Sequence, residues 1–479
     1  MTGSSLSASA TGAAGGGRRA ARRGKASAGK GTTSRSCRAL RTAPRPVYLV
    51  DGLRTPQLKA RGRPGPFAAA DLAVAAGRAL LRRQPFPPEA LDQVILGCVM
   101  PSPDEANIAR VVALRLGCGP GVPAWTVQRN CGSGLQAVDC AFREIQDGRA
   151  SLVLAGGTEA MSRAPLLWRE ELVAWLADWR GARGAVARLR ALGRLRPRHL
   201  APVPGLLRGL TDPVVGLSMG QTAEELAHRF RIPREAQDRY ALESHRRLAR
   251  ALDEGRLAEE LEPLYTPDGR VLEADDGLRR DTSLERLAAL PPVFDRPFGT
   301  VTAGNSAQVT DGAALLLLAD EAAVARWGLP VLGRVVDTQW AGVPPEQMGL
   351  GPARAVPPLL ARHGLGAADV DWWEINEAFA AQVLAVRAAL EDPAWCREQL
   401  AGTGEGLVEG LEQAFGAPPL ERLNVDGGGI SLGHPVGASG ARIVLHLAHV
   451  LRQRGGRRGV AALCIGGGQG GALLLERAG

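Results

Sequence analysis

The sequence lacks the patterns that mark several common classes of protein. No apolar run approaches the ~18 residues that span a bilayer, so we expect a soluble, globular protein. Aromatic residues make up only 4% of the chain and are not interleaved with basic residues, so nucleic acid is not expected as a partner. There is no HExxH motif and no GxxxxGKS or GxxxxGKT motif, so neither a metalloprotease site nor a phosphate-binding P-loop is predicted.

Cysteine is sparse and scattered. The seven cysteines are an odd number, lie far apart along the chain and form no CxxC pair. This usage is typical of a reducing compartment and predicts neither a disulfide framework nor a bound metal. We therefore expect a cytoplasmic protein.

The excess of positive charge is confined to the start of the chain. The net charge is +9, but residues 1–46 hold ten Arg or Lys and no acid, which leaves the remainder close to neutral. Because Gly, Ser, Ala and Arg dominate residues 1–46 and give little to bury, we predict a disordered basic tail. Its composition leaves import into an organelle open, although its glycines would interrupt an amphipathic targeting helix.

Beyond the tail, strands and helices alternate at lengths typical of parallel βαβ units. Both ends of this region carry a Gly-rich turn, then a helix, then a strand that stops at a glycine cluster. The pattern predicts two similar α/β halves around a shared interior, interrupted by a helix-rich insertion. The predicted segments are the tail at 1–46, an N-terminal half at 47–163 and 292–319, the insertion at 164–291, and a C-terminal half at 329–479.

The insertion contains an unusual basic stretch. Trp168, Leu172, Trp175, Leu176 and Trp179 share one face if the segment is helical. Eight arginines and no acid follow between Arg180 and Arg208. Such a helix can lie on an anionic membrane, dock on a partner subunit, or pack against its own domain, and the residues alone leave all three open.

The stretch RNCGSGLQAV sets Cys131 among small residues where an apolar strand turns into a helix. A buried structural cysteine is the simplest interpretation. The alternative is a nucleophile, because the positive end of a helix dipole lowers the pKa of a thiol and the thiolate is the attacking species.

Three further stretches carry residues suited to chemistry: WWEINEAFAAQ around Asn376, ISLGHPVGASGAR around His434, and AALCIGGGQGG around Cys464. Only His434 among the seven histidines is flanked by glycine-rich sequence in this way. Cys464 ends an apolar strand before a glycine run, where open α/β sheets place their ligands.

Together, NCGSGLQAV, GTVTAGN, NEAFA, GGGISLGHPVGASGAR and CIGGGQGG resemble the thiolase family, in the family's order and spacing from about Val47 to the C-terminus. The resemblance implies an α/β fold of two duplicated βαβαβ halves, stacked as α-β-α-β-α layers, with an inserted loop domain. Within the family, the insertion is similar to that of fatty-acid-oxidation thiolases, the β subunits of trifunctional complexes.

The resemblance also implies roles for individual residues. Cys131 is the nucleophile, His434 activates it, and Cys464 is the acid and base at carbon. Asn376 holds a water that forms one oxyanion site with His434, and the backbone N–H groups of Cys131 and Gly466 form the other. Candidate contacts to the substrate or to coenzyme A (CoA) are Ser306, Met219 and Ser439.

The function implied is that of a 3-ketoacyl-CoA thiolase (acetyl-CoA C-acyltransferase) of fatty acid β-oxidation, with CoA as co-substrate and no tightly bound cofactor. The alternative is an acetyl-CoA C-acetyltransferase that makes acetoacetyl-CoA. A β-ketoacyl synthase and a non-catalytic docking subunit are more remote. We expect a homodimer or homotetramer, with residues 165–208 available to a hydratase/dehydrogenase subunit or to a membrane surface.

Overall fold

A computed structural model describes residues 44–478. The predicted basic tail, apart from its last three residues, lies outside the described residues. No helix in the described part of the chain is long and apolar enough to cross a membrane.

The helices and strands alternate in the order that the sequence predicts. The first half contains β1 (Val47–Arg54), β2 (Leu58–Lys59), α1 (Ala69–Arg82), β3 (Gln93–Gly97), α2 (Ile108–Arg115), β4 (Ala124–Val127), α3 (Ser133–Gln146) and β5 (Leu152–Ala160). Next come β6 (Leu166–Leu167), α4 (Glu170–Gly181), α5 (Ala185–Leu192), β7 (Val203–Pro204), α6 (Gly205–Gly209), α7 (Met219–Arg229), α8 (Arg234–Asp253), β8 (Leu264–Tyr265), β9 (Val271–Leu272), α9 (Leu284–Ala288) and β10 (Thr310–Asp320). The last part holds α10 (Glu321–Trp327), β11 (Gly333–Gly342), α11 (Gly351–Ala361), β12 (Trp372–Ile375), α12 (Ala380–Glu391), α13 (Pro393–Gln399), α14 (Gly429–Leu432), α15 (Ser439–Arg454), β13 (Arg458–Ile465) and β14 (Gln469–Arg477).

The main sheet shows that the two halves repeat one topology. Its strands run in the order β12-β13-β14-β11-β1-β10-β5-β3-β4, with β2 paired to β10. The first strands of the two halves, β1 and β11, lie side by side at the centre of the whole sheet. They pair antiparallel through Val47 and Val335. A single parallel bridge from Leu423 to Trp373 stands in the C-terminal half where β4 stands in the N-terminal half.

Helices cover both faces of each half-sheet. Residues of α1 and α2 form one core with the N-terminal half, and residues of α11 and α12 form another with the C-terminal half. Helices α3 and α15 lie between the halves and share a third core with strands from both. β5 and β10 are buried along their whole length, as expected for central strands covered on both faces. The predicted α-β-α-β-α layers are confirmed.

The first turns of α3 and α15 touch each other. A Cβ on Gly134 would lie 2.8 Å from the backbone oxygen of Gly437 and 2.9 Å from the backbone nitrogen of Ala441. Since real Cβ atoms do not come this close to backbone, only glycine permits the approach. This contact brings the turns that precede the two helices together.

The segment between β5 and β10 is rich in helices, as predicted, but its basic part differs from the prediction. Trp168 precedes α4 instead of belonging to it, and Leu176 is exposed. In α4 and α5 only Leu172 and Ala191 are buried. Helical periodicity identifies residues that share a face but not what covers that face. In α4 and α5 the rest of the protein covers little of it.

A buried ion cluster ties the later part of this segment to β1. Arg54 donates to Glu260 at 2.7 Å and to Asp275 at 2.8 Å, and all three side chains are buried. The two carboxylates raise the pKa of the guanidinium and outweigh the effect of burial. Removing one partner of such a pair would leave an uncompensated buried charge, which is strongly destabilising. The cluster therefore holds this part of the segment against β1.

Candidate active site

Cys131 lies in the tight turn between β4 and α3. Asn130 adopts a left-handed conformation, with φ of 43°, immediately before it. The Ser133 hydroxyl accepts from the backbone N–H of Arg129 at 2.8 Å and donates to the backbone oxygen of Asn130 at 2.7 Å. The Asn130 side chain donates to the backbone oxygen of Gly466 at 2.7 Å. The nucleophile turn is therefore held to the C-terminal half by a direct hydrogen bond.

The surroundings of Cys131 alter its acidity in opposing ways. Burial raises the pKa of its thiol, and hydrogen bonds from the backbone N–H groups of Gly466 and of Cys131 itself lower it. Burial has the larger effect, so the pKa lies above the ordinary value. The backbone N–H of Cys131 at the start of the helix does lower this pKa, as expected, but loss of solvent outweighs it. The resting group is a thiol and needs a base.

His434 supplies such a base. Its Nδ1 lies 2.6 Å from the Ser439 hydroxyl, which also lies 3.0 Å from the backbone oxygen of Pro435. A carbonyl can only accept, so the hydroxyl donates to Pro435 and accepts from Nδ1–H, which leaves the lone pair on Nε2, 3.5 Å from the side-chain nitrogen of Asn376. Burial, with a smaller effect of the Arg442 charge, lowers the pKa of His434 to about 4. The imidazole is therefore neutral near pH 7 and able to take a proton.

Asn376 follows β12 and lies next to His434. Its side-chain nitrogen is 3.4 Å from Nδ1 of His434, and the residue is fully buried. Within residues 44–478 its side-chain oxygen has no hydrogen-bond partner. A buried amide that is not fully satisfied by the protein is suited to binding a further polar group.

Cys464 ends β13 and is 1% exposed. Burial first, and then the neighbouring Cys131, raise the pKa of its thiol well above the ordinary value. The proton therefore stays on the sulfur until a strong base, such as a carbanion, removes it.

One cavity brings the reactive groups together. Cys131, His434 and Cys464 all line a space of about 240 Å³, which we call the catalytic cavity. Ser306 and Met219 also line it, and the Ser306 hydroxyl donates to the backbone oxygen of Thr302 at 2.7 Å. The remaining wall is mostly apolar, with side chains such as Phe294, Met348, Ala378, Phe379 and Val436.

A second cavity, of about 320 Å³, meets the first at Cys131. Met219 lines both cavities, and Gly466 lines the second. This second cavity extends under β6 and α6, past Met100, Leu167 and Leu206. The nucleophile thus lies at the junction of two mainly apolar spaces.

Ser439, a candidate contact to the substrate or to CoA, lines neither of these two cavities. It is fully buried and contacts His434. Its position fits orienting the imidazole.

A basic pocket beside the catalytic cavity was not singled out from the sequence. It measures about 360 Å³ and is lined by Lys59, His245, Arg279 and Arg286 among others. Gln308 lines both this pocket and the catalytic cavity, so the two are neighbours. Lys59 and Arg279 are far apart in sequence, and nothing local to either signals that the fold brings them together.

Glu159 is a second residue that the sequence did not reveal. Its carboxylate accepts backbone N–H bonds from Val99 at 2.9 Å, Met100 at 3.0 Å and Gly437 at 3.1 Å. Burial raises its pKa to about 7, against the lowering effect of these bonds. Glu159 therefore links the wall of the second cavity to the loop that carries His434.

Comparisons with known proteins agree with this geometry. A family model for the thiolase N-terminal domain matches residues 47–322, and one for the thiolase C-terminal domain matches residues 329–477. The chain belongs to the thiolase family. Thiolases are acyltransferases, so the protein is an acyltransferase with CoA as a substrate, as predicted.

Relatives within the family carry different names. Mitochondrial 3-ketoacyl-CoA thiolase of Rattus norvegicus is 39% identical over 437 residues, which cover 90% of this chain and 98% of the relative. The mitochondrial trifunctional enzyme β subunit of Bos taurus is 37% identical over 434 residues, with 90% and 88% covered. The crystal structure of the Bacillus anthracis acetyl-CoA acetyltransferase has a TM-score of 0.77 and 35% identity, with 91% of this chain and 100% of that chain covered.

Proposed function

We propose that this thiolase cleaves 3-ketoacyl-CoA with CoA, giving acetyl-CoA and an acyl-CoA shortened by one acetyl unit, in fatty acid β-oxidation. The observation that carries the proposal is the meeting of Cys131, His434 and Cys464 in one cavity. Its support within the family comes from the relatives named 3-ketoacyl-CoA thiolase.

In the first half-reaction, Nε2 of His434 takes the proton of Cys131, and the thiolate attacks the keto carbon of the substrate. The bond between this carbon and the acetyl group breaks, which leaves the acyl group on Cys131 and an acetyl-CoA enolate. Cys464 donates its proton to the enolate carbon and receives one from the imidazolium of His434. Acetyl-CoA then leaves.

In the second half-reaction, His434 takes the proton of an incoming CoA thiol. The CoA thiolate attacks the thioester on Cys131 and expels the Cys131 thiolate, which recovers the proton from His434. The shortened acyl-CoA leaves, and both cysteines end as thiols.

Two sets of donors stabilise the oxygen anions that form on the way. The backbone N–H groups of Gly466 and Cys131 already point at the reacting sulfur, so we assign them to the oxygen of the group bonded to it. We assign Asn376, through a water, and His434 to the enolate oxygen, which the free amide oxygen and burial of Asn376 favour.

The basic pocket is the proposed site of the CoA phosphates. Arg286 pairs with Asp281 in the pocket wall, which leaves Lys59 and Arg279 to provide positive charge. Gln308 joins the pocket to the catalytic cavity, where the CoA sulfur must arrive. Met219 and Ser306, whose hydroxyl donates to Thr302 and can still accept a hydrogen bond, then lie along the pantetheine arm. The acyl tail takes the opposite direction, into the second cavity.

The halves and the insertion divide these tasks. We propose that residues 47–163 with 292–319 supply the nucleophile, that residues 329–479 supply the base and the acid, and that residues 164–291 cover the site.

A thiolysis assay tests the function. The purified protein is given CoA and 3-ketoacyl-CoA substrates from four to sixteen carbons, with Cys131→Ala as the control. Turnover that rises with chain length is expected. Turnover of acetoacetyl-CoA alone would favour the acetyl-CoA C-acetyltransferase, the second candidate, which the Bacillus anthracis structure supports. Absence of turnover would favour a non-catalytic docking subunit.

For partners, we propose a homodimer or homotetramer, and a hydratase/dehydrogenase subunit that the trifunctional relative suggests. We propose that this subunit docks on residues 165–208. The alternative is that these residues bind a membrane surface. Light scattering after size exclusion measures the first proposal. Co-purification from the source cell tests the second, and recovery of the homo-oligomer alone would contradict it.

We place the protein in the cytoplasm, with import into an organelle as the alternative that mitochondrial relatives favour. The location of the full chain fused at its C-terminus to a fluorescent protein distinguishes the two.

A further inference from the structure

The two spaces beside the catalytic cavity carry opposite charge. The basic pocket is lined by Lys59 and Arg279 among others. In the second cavity, Asp212 is the one charged side chain among the described residues that line the wall, and the rest of the lining is mostly apolar side chains and glycines. No lysine, arginine or histidine of residues 44–478 lines this cavity. A molecule that reaches from one space to the other therefore meets positive charge at one end and negative charge at the other.

Asp212 lies in the turn between α6 and α7 and is 3% exposed. Its Oδ1 accepts the backbone N–H of Val214 at 2.8 Å and that of Val215 at 3.2 Å. Within the described residues these are the hydrogen bonds that the carboxylate makes, so Oδ2 keeps its lone pairs unpartnered. A buried carboxylate with one unused oxygen thus stands in the wall of a mainly apolar space.

No cationic side chain of residues 44–478 pairs with Asp212, and the same holds for Glu159 behind this wall. The hydrogen bonds to Glu159 come from backbone N–H groups and from the Cys98 thiol. Its negative charge acts at the inner end of the cavity, because after burial it is a further cause of the raised pKa of Cys131. A second carboxylate brought into the cavity would be repelled from both sides.

We propose that Asp212 determines which acyl tails the second cavity accepts: uncharged tails enter it, and tails that end in a carboxylate are excluded. The inference rests on the proposed function, since that function places the acyl tail in this cavity. It narrows the substrate class to 3-ketoacyl-CoA with an uncharged tail.

Two costs act on a carboxylate-ended tail and on no methyl-ended tail of the same length. The carboxylate gives up its water and finds no cation in exchange, which makes its burial unfavourable. It also lies near the like charge of Asp212, and like charges repel more strongly in a space with little water than in bulk solvent. A methyl group meets neither cost and gains from the apolar wall.

The neutral amides of the cavity do not offset these costs. The Asn130 amide already donates to the backbone oxygen of Gly466 at 2.7 Å, and the Gln128 amide donates to Asn130 at 3.3 Å. The turn itself does not require a charge at Asp212, because an asparagine carries the same acceptor oxygen. The negative charge is therefore the property that an experiment can separate from the fold.

Pairs of substrates with equal chain length test the proposal. The probes are 3-oxohexanoyl-CoA with 3-oxoadipyl-CoA, and 3-oxooctanoyl-CoA with 3-oxosuberyl-CoA. Within each pair a terminal methyl group is replaced by a carboxylate. In the unchanged protein, kcat/KM for thiolysis should be about a hundredfold higher or more for the methyl-ended member.

Two variants alter the charge of the cavity by different routes. Asp212→Asn keeps an acceptor for the N–H of Val214 and removes the negative charge. Leu206→Lys adds a positive charge to another part of the wall, at a half-buried position from which the lysine can reach solvent. Each variant should lower the ratio of kcat/KM values about tenfold. Thermal melting checks that both are folded, and Leu206→Lys decides the matter if Asp212→Asn is not.

Asp371→Asn is the matched control. The Asp371 carboxylate also accepts two consecutive backbone N–H groups, from Arg457 at 2.7 Å and Arg458 at 2.9 Å, and it lines neither the catalytic nor the second cavity. This variant should leave the ratio unchanged.

The outcomes separate this inference from the function on which it rests. Equal kcat/KM values within each pair, or a ratio that the folded charge variants leave unchanged, would overturn the role of Asp212 and leave the thiolase function standing. Absence of turnover with both methyl-ended substrates would contradict the proposed function and this inference together.

Discussion

The Ser439 hydroxyl lies 2.6 Å from Nδ1 of His434, and both side chains are buried. This contact, between residues five apart at the start of α15, determines which ring nitrogen is free to act as the base. Ser439 is therefore a positioning residue in this site, and its effect should be visible in catalysis more than in binding.

For Ser439→Ala we expect kcat to fall about tenfold to a hundredfold, because Nδ1–H loses its buried partner and the imidazole is no longer held. The KM for CoA should change little. Steady-state thiolysis and a pH profile of kcat/KM measure the effect. Ser431→Ala removes another buried serine, which contacts Ser244 at 2.9 Å, and should leave kcat within a few-fold of the unchanged protein. Equal losses in both variants would indicate a general packing defect.

Replacing Cys464 should separate the two half-reactions. In Cys464→Ala the enolate has no acid at hand, so full turnover should fall by roughly 10² or more. Transfer of an acyl group from acyl-CoA to Cys131 needs no proton at carbon and should persist, as measured by mass spectrometry of the intact protein. Cys118→Ala is the control, since Cys118 is buried in another core, where burial raises the pKa of its thiol to about 11. Loss of acylation in Cys464→Ala would contradict the assigned role.

The acidity of Cys131 predicts how alkylation depends on pH. Its pKa is raised by burial and that of His434 is lowered to about 4, so we expect a thiol beside a neutral imidazole at pH 5–7. As pH rises, the thiolate fraction increases, and the rate of inactivation by iodoacetamide should still be rising above the ordinary thiol value of ~8.5. Pseudo-first-order inactivation rates between pH 5 and 10 test this. A rate that is high and constant from pH 5 to 7 would show an ion pair instead.

The basic pocket should control affinity for CoA. Arg279→Gln removes one positive charge from the pocket wall and should raise the KM for CoA roughly tenfold, with a smaller change in kcat. The neighbouring Arg280 is exposed and pairs with Asp253 at 2.7 Å, so Arg280→Gln is a matched control that should leave both constants unchanged. Initial rates at varied CoA concentration give the comparison. Equal KM values in the two variants would remove the pocket from the CoA path.

Particular residues show what the sequence could predict. Cys131 at a helix start and Cys464 at a strand end follow from local patterns, because small residues, glycine runs and apolar strands are properties of neighbouring positions. The pKa of Cys131 does not, since it depends on burial in the folded protein and on the backbone N–H of Gly466, which is far away in the chain. The basic pocket and Glu159 were missed for the same reason: their partners, such as Gly437, become neighbours only through the tertiary fold.

The crossing of α3 and α15 predicts a large difference between two glycines. In Gly134→Ala the new Cβ would meet backbone atoms of Gly437 and Ala441 within 3.0 Å, so the helices must separate. We expect a loss of about 2–3 kcal/mol of stability, and lower activity because Cys131 and His434 precede these helices. Gly181→Ala, at the end of α4, meets no atom within 4 Å and should be neutral or slightly stabilising. Thermal or denaturant unfolding measures both, and equal stabilities would mean that the two helices can move apart without cost.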